Sequence, residues 1–224
     1  MTPDAGRPQK KVFLVDDHPL VREWLAALIH QQTDLVVCGE AESRQQAVPA
    51  ILALKPDVAI VDLTLKDSSG LELIKDLVRI CPAVAVLVLS MHEEAHYAER
   101  ALRAGAKGYI MKRETTKRVV AAIRQVLQGK LYVSDGVAEV MMSRFVQGKT
   151  LSSCSPVELL SDRELEVFEL LGQGRGTRQI AEVLRVSIKT VQAYNARIKE
   201  KLNLRSATEL VREAVRWHED AHKG

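Results

Sequence analysis

Residues 58–90 read VAIVDLTLKDSSGLELIKDLVRICPAVAVLVLS. Two runs in this stretch, Val58–Val61 and Val84–Leu89, are apolar without alternation, the pattern of strands covered on both faces. Between them, Leu71–Ile80 has the length and periodicity of a helix. A buried strand, a helix and a second buried strand form a crossover unit, and such units build parallel sheets.

The same alternation extends in both directions. Val12–Val15, Leu35–Cys38 and Gly108–Met111 read as further strands, and Leu20–His30, Arg44–Leu54, Ala95–Ala104 and Thr116–Leu127 as helices. In the last helix Val119, Val120, Ile123, Val126 and Leu127 recur at helical spacing. Gly105 and Gly129 stand where helix C-caps are expected. Strand–helix alternation five times over predicts an α/β doubly wound five-stranded parallel sheet over residues 11–130, preceded by a disordered tail, 1–10.

Beyond Gly129 the pattern stops. Residues 131–156 hold Gly136, Gly148, a Ser-rich LSSCSP and Pro156, and read as a linker with a short helix at about Val137–Val146. Residues 157–220 show no strand pattern. Four helices are expected there, Arg163–Leu171, Thr177–Leu184, Ile188–Leu202 and Ala207–Trp217. Ser161-Asp-Arg-Glu164 forms a capping-box start, and Ser187 is placed to cap the third helix. The second domain is therefore expected to be small and all-α.

Composition narrows the function classes. The chain has 224 residues, 46% apolar and 27% charged, which excludes wholesale disorder. No apolar run approaches the ~20 residues a membrane-spanning helix needs. MTPDAGRPQKK lacks the apolar core of a secretory signal, so a cytoplasmic location is expected. Cys38, Cys81 and Cys154 lie far apart without C-x-x-C spacing, and read as reduced thiols. A net charge of +3 is too weak to argue nucleic-acid binding for the whole chain, so charge is read locally.

Polar residues mark the strand ends. Asp16 and Asp17 follow the first strand, Asp62 the third, Ser90 the fourth and Lys112 the fifth. In open α/β sheets, ligands bind at the carboxyl ends of strands where the strand order reverses. With the order 2-1-3-4-5, all five residues converge on one crevice. Crowded carboxylates call for a cation, and oxygen ligands suit Mg²⁺, which also accepts phosphoryl oxygens. A carboxylate can act as the nucleophile of phosphoryl transfer, forming an acyl phosphate. Taken singly, each residue has a plainer role as a cap, a turn residue or a solvated charge. Their joint occurrence at the ends of four strands carries the reading.

VFLVDDHPLVRE, AIVDLTLKDSSGLEL, VLVLSMH and AGAKGYIMK resemble the blocks of a response-regulator receiver domain, in order and spacing, over roughly residues 11–130. The resemblance implies that Asp62 is the phosphoacceptor. It implies Mg²⁺ held by Asp16, Asp17, Asp62 and the Thr64 backbone carbonyl, with Asp17 the more direct of the acidic pair. Ser90 becomes the switch hydroxyl, Tyr109 the switch aromatic, and Lys112 the lysine that pairs with acid or phosphate. The family commonly has proline four residues after the phosphoacceptor, and here that position is Lys66. His92 and His96 are spaced i, i+4, but receivers carry no metal there and a surface role is expected.

In the second domain, RQIAEVLRVSIKTVQAYNARIKEKL has the layout of a helix-turn-helix. Ile180, Ala181, Leu184, Val186, Ile188, Val191, Ile198 and Leu202 would form its core. Lys189, Gln192, Ala193, Asn195, Ala196 and Lys199 fall on the outer face. Between Gly172 and Arg205 there are eight basic residues and two acids, a balance suited to phosphate contacts. Residues 160–211 resemble the LuxR-type DNA-binding domain, and the whole chain resembles a NarL/FixJ-type response regulator. By that likeness Gln192, Ala193 and Ala196 face the bases, whereas Lys189, Thr190 and Lys199 contact phosphates. Tyr194 stands where the family often has histidine. The last helix, with Leu210, Val211, Ala214 and Val215, is the family's dimerisation helix, although the same residues also suit packing within the domain.

The resemblance implies a phosphorylation-dependent transcriptional regulator, not an enzyme acting on a separate substrate. Its expected partners are a sensor histidine kinase, promoter DNA, RNA polymerase and a second copy of the chain, with no membrane contact. The alternative is a pseudo-receiver that binds DNA without phosphorylation, but no acid and no lysine of the site is missing. An aspartyl-phosphate phosphatase would need an acid where Thr64 stands, and an autoinducer receptor would need a ligand-binding domain in place of the receiver blocks.

Overall fold

The computed structural model describes residues 8–65, 69–91, 94–146 and 159–221. Lys66, His92, Cys154 and the LSSCSP stretch lie outside the described residues, as does the side chain of His96.

The first unit alternates strands and helices: β1 (Lys10–Val15), α1 (Pro19–His30), β2 (Leu35–Ala41), α2 (Arg44–Leu54), β3 (Val58–Val61), α3 (Gly70–Ile80), β4 (Ala85–Ser90), α4 (Glu94–Arg103), β5 (Gly108–Met111) and α5 (Thr116–Leu127). The strands form one sheet in the expected order, β2-β1-β3-β4-β5. Every pairing is parallel, with Val12–Val15 against Val58–Val61 and Val58–Val61 against Ala85–Val88.

Side chains alternate between the sheet's two faces. Val12, Leu14, Val58, Ile60, Leu87, Leu89 and Ile110 meet Leu25, Leu28 and Ile29 of α1 and Val119, Ile123 and Val126 of α5 in one buried cluster. Helices α2 and α4 pack on the other face, with α3 between them. Burying a leucine, isoleucine or valine of this kind contributes ~1.5–3 kcal/mol. This two-sided burial is why β3 and β4 carry no polar residue until their ends.

Two features extend past α5. Gly129 closes that helix in the left-handed region, at φ 76°. The chain then turns back so that Tyr132 forms a parallel bridge with Gly108, beside β5. The Tyr109 N–H donates to the Tyr132 carbonyl at 2.9 Å, and the Tyr132 N–H to the Lys107 carbonyl at 3.0 Å. A Cβ on Gly108 would stand 3.0 Å from the Tyr132 oxygen and 2.9 Å from a Leu87 methyl, so a bare glycine suits this close approach. Next comes α6 (Asp135–Val146), which packs on α4 and lies within the first compact unit. Tyr132 and α6 thus belong to the sheet domain's fold, although they fall in the stretch expected to be linker.

The second unit is helical among the described residues: α7 (Asp162–Gly172), α8 (Thr177–Val183), α9 (Ile188–Lys201) and α10 (Ala207–Ala221). Ser161 and Glu164 make the reciprocal capping box of α7, and the Ser187 hydroxyl accepts from the Thr190 N–H at the start of α9. Helix α7 packs against the other three. Gly172 lets α10 approach closely, since a Cβ there would lie 2.6 Å from the Ala214 carbonyl oxygen. No helix among the described residues is long and apolar enough to cross a membrane.

Candidate functional site

Each strand end in the first unit is fixed by its neighbour. The Asp16 N–H donates to the Ala41 carbonyl beyond β1, and the Asp62 N–H to the Val15 carbonyl beyond β3. The Lys112 N–H donates to the Ser90 carbonyl at 2.8 Å. These bonds align the ends of β1, β2 and β3 with one another and the ends of β4 and β5 with each other, and the parallel pairing of β3 with β4 joins the two sets, so the residues that follow meet in one crevice.

Asp16, Asp17 and Asp62 are all buried there. Lys112 Nζ lies 2.6 Å from Asp16 Oδ2 and 2.7 Å from Asp62 Oδ2, with only 7% of its side chain exposed. Burial pushes the Asp62 carboxyl up to about 6. The Lys112 ammonium works against that rise, Asp16 adds to it, and the Thr64 N–H donates to the carboxylate and lowers it. Burial alone would depress the Lys112 ammonium, but the charges of Asp62 and Asp16 outweigh it and hold the group above its usual range.

The loop after Asp62 returns immediately. Thr64 bridges Ser69, and the Gly70 N–H donates to the Leu63 carbonyl at 2.7 Å. Ser69 caps α3 by accepting from the Leu71 N–H. A Cβ at Gly70 would sit 2.1 Å from the Asp62 carbonyl oxygen, so only glycine lets α3 begin directly against the Asp62 backbone.

Ser90 is fully buried at the end of β4, and Tyr109 is 1% exposed in β5. Tyr109 pairs with Val88, so alternation places Tyr109 and Ser90 on the same sheet face, opposite Leu87, Leu89 and Ile110. The structure therefore brings Asp16, Asp17, Asp62 and Lys112 together, with Ser90 and Tyr109 on the adjoining strands. Two residues not foreseen as site members also reach it. His18 Nδ1 lies 2.8 Å from Asp17 Oδ1, and Arg22 Nη1 donates to the Asp16 carbonyl at 2.6 Å. Both follow the acidic pair closely in sequence, which is the only signal that marks them.

The carboxylates of Asp16, Asp17 and Asp62 can bring oxygens within 4.8 Å of one another, together with a nitrogen of His18. Three buried acids facing one lysine leave a deficit of positive charge that a divalent cation would fill, and the oxygen donors fit Mg²⁺.

In the second unit, Lys189, Gln192, Ala193 and Ala196 lie exposed along α9, whereas Thr190 and Lys199 are half-buried on its flanks. Asn195 is half-buried, and its Oδ1 has no hydrogen-bond partner among the described residues. Ile180, Ala181, Leu184, Val191 and Ile198 form the core between α8 and α9 as expected. Ile188 does not join them. It stands in the first turn of α9, 43% exposed. Lys201, counted among the basic residues, donates to Glu164 Oε2 at 2.6 Å and ties the end of α9 to the start of α7. Burial works to raise the Glu164 carboxyl, but the bonds from Lys201 and Ser161 prevail and hold it below its usual range. Leu210 and Ala214 of α10 point into the domain, and Val211 is exposed.

Comparison with known families matches residues 12–124 to the response regulator receiver domain and residues 158–214 to the bacterial regulatory proteins of the luxR family. The two matches define a class, a receiver joined to a LuxR-type helix-turn-helix. The oxygen regulatory protein NreC of Staphylococcus epidermidis is 36% identical over 211 residues, covering 92% of this chain and 97% of that protein. The NreC of Staphylococcus carnosus is 35% identical over 210 residues, with the same coverage. Among solved structures, a LuxR-family two-component response regulator from Aurantimonas sp. is similar at TM-score 0.59 and 31% identity, over 62% of this chain and 99% of that one. RcsB of Salmonella enterica, in a complex with promoter DNA, shares the fold at TM-score 0.59 and 24% identity, over 92% of this chain and 98% of its own. The chain belongs to the NarL/FixJ-type response regulators, a family of transcriptional regulators with LuxR-type DNA-binding domains.

Proposed function

We propose that Asp62 accepts a phosphoryl group from a sensor histidine kinase, and that the phosphorylated chain dimerises and binds promoter DNA through α9. The observation that carries the reading is the lysine shared between two buried carboxylates, 2.6 and 2.7 Å away. A carboxylate held beside a fixed cation, at a strand end with a flanking hydroxyl, is a positioned nucleophile for in-line transfer.

Asp62 Oδ would attack phosphorus as the bond to the kinase imidazole breaks, leaving an acyl phosphate on Asp62 and a free imidazole on the kinase. Lys112 would exchange its bond to Asp62 for one to a phosphoryl oxygen while keeping Asp16. The Ser90 hydroxyl would donate to another phosphoryl oxygen, and Tyr109 would follow it on the same sheet face. Asp16, Asp17, Asp62 and the Thr64 carbonyl would hold Mg²⁺, which supplies neutralising charge for the phosphoryl oxygens. The chain would catalyse only its own phosphorylation and dephosphorylation.

On DNA, Gln192 offers a side-chain amide able to pair bidentately with adenine, and Ala193 and Ala196 can meet thymine methyls. Lys189, Thr190 and Lys199 would contact phosphates. RNA polymerase is a further expected contact, and the site of action is the cytoplasm.

The test is intact mass after incubation with Mg²⁺ and acetyl phosphate, wild type against Asp62→Asn. The expected result is a gain of about 80 Da, one phosphoryl group, in wild type alone. No adduct from acetyl phosphate or from any phosphorylated kinase, together with unchanged DNA affinity, would support a regulator that works without phosphorylation.

A further inference from the structure

The chain leaves the sheet by a route that phosphoryl transfer at Asp62 does not require. Gly129 turns it at φ 76°, and both the Lys130 N–H and the Leu131 carbonyl are tied to Gln125 of α5. Tyr132 then rests its half-buried side chain against the cluster shared by the sheet, α1 and α5. Three residues later α6 begins, and it packs on α4, on the other side of the sheet, with Val137 buried. Residues 129–134 therefore cross the outer edge of β5 as a strap, from one face of the sheet to the other.

The strap grips the strand that carries Tyr109. The Tyr109 N–H donates to the Tyr132 carbonyl at 2.9 Å, and the Tyr132 N–H donates to the Lys107 carbonyl at 3.0 Å. Between them lies Gly108, where a Cβ would stand 3.0 Å from the Tyr132 oxygen and 3.1 Å from the Tyr132 Cβ. The bridge is an isolated one, and so small an element belongs to the part of a fold that opens at least cost. Ser90 and Tyr109 share the α4 side of the sheet, and α4 itself packs on β5. Movement of Ser90 and Tyr109 toward a phosphoryl group would thus act on the strap at two points. One is its hydrogen bond to Tyr109, and the other is the α4 surface that holds α6.

We propose that Tyr132 carries the phosphorylation state of Asp62 out of the receiver. Its bridge to β5 is closed in the unphosphorylated chain and opens on phosphorylation, which loosens α6 from α4 and the chain that leads on to the second unit. This rests on the reading of Asp62 as phosphoacceptor with Ser90 and Tyr109 as its switch. Tyr132 touches no reacting atom, so its role is one of positioning. Linkage makes the effect reciprocal: if phosphorylation favours the open strap, a strap opened by substitution favours the phosphorylated state.

The test uses the full chain in Mg²⁺, with and without beryllium trifluoride as a stable mimic of the acyl phosphate. Amide hydrogen exchange at Tyr109 and Tyr132 should quicken at least ~10-fold when the mimic binds, while Ile123 and Val126 of α5 keep their rates. Two variants open the strap from opposite sides. Tyr132→Pro removes the N–H that bonds Lys107, and Gly108→Ala places a methyl against Tyr132. Both should bind the mimic at least ~3-fold more tightly than wild type. Without it, both should bind a duplex selected with mimic-loaded wild type ~10-fold more tightly than unloaded wild type does. A strap that only completed the fold would weaken the mimic's binding or leave it unchanged when broken. Unchanged exchange at both amides in mimic-loaded wild type overturns the role of Tyr132, whether or not a variant folds. So does mimic affinity at or below that of wild type in a variant that keeps α5 protected. Either result leaves the phosphoacceptor reading standing. If wild type does not take up the mimic, or Asp62→Asn takes it up equally, that reading falls and this one falls with it.

Discussion

Asp62→Asn should stabilise the cation-free protein, and by an amount that grows with pH. The Asp62 carboxyl is raised from 3.8 to about 6, chiefly by burial, so ionising it costs the folded state about 3 kcal/mol relative to the unfolded chain. The sign follows from the direction of the shift. Stability from neutral Asp62 is fully present below the unfolded value and is lost as pH rises through the folded one. Integrated over that window, about half of the cost, ~1.5 kcal/mol, appears between pH 5 and pH 8. Asparagine carries no charge to bury, and Lys112 retains Asp16 as a partner. The advantage of Asp62→Asn over wild type in EDTA should therefore widen by ~1–1.5 kcal/mol across that interval. Urea unfolding read by Trp24, half-buried against the sheet core, isolates the first unit in a Trp217→Phe background. Adding Mg²⁺ at pH 8 should restore wild type more than the variant. A difference that stays flat with pH, or favours wild type at pH 8, would refute the reasoning that burial of this charge is a standing cost.

Other outcomes follow from the same geometry. Gly70→Ala should destabilise the first unit by ~3 kcal/mol and slow phosphorylation from acetyl phosphate, because the new methyl meets the Asp62 carbonyl. Gly129→Ala, whose Cβ meets nothing within 4 Å, should cost only ~1 kcal/mol from its positive φ and leave phosphorylation unchanged. Lys201→Met should weaken the second unit by ~1–2 kcal/mol in urea unfolding read by Trp217, discounted for the partly exposed lysine. That loss should shrink as pH falls below the ordinary glutamate range, since Glu164 is held low and its contribution is present only while it is ionised. On a site selected from random duplexes, Gln192→Ala should relax the preference at one base pair by ~1–3 kcal/mol. By contrast, Lys189→Ala should weaken all sequences alike and lower the salt slope by about one.

The sheet was legible because two-sided burial leaves continuous apolar runs, and the crevice because its polar residues stand where those runs end. What escaped depends on partners distant in sequence. β1 begins at Lys10, ahead of the apolar run, because Lys10 and Lys11 lean on Asp57. The Tyr132 bridge has no periodicity of its own and exists only because β5 offers an open edge beside a glycine. Ile188 reads as core by composition, but its place in the first turn of α9 leaves it half outside. Lys201 reads as one of a basic set until Glu164, 37 residues earlier, is found beneath it. His18 was visible beside the acids, but the direction of its ring is set by the turn into α1.

The Tyr132 bridge also bears on where the chain can be cut. A receiver fragment ending at the family boundary, Arg124, or at Lys130 would lose the only backbone that pairs with β5 on its outer side among the described residues. It would leave bare the N–H of Tyr109 and the carbonyl of Lys107, on a strand whose four residues are all buried in the intact chain. An uncovered strand of this kind invites pairing with another chain. Such a fragment would self-associate through an edge that Tyr132 covers in the intact chain, and its oligomeric state would misreport the parent's.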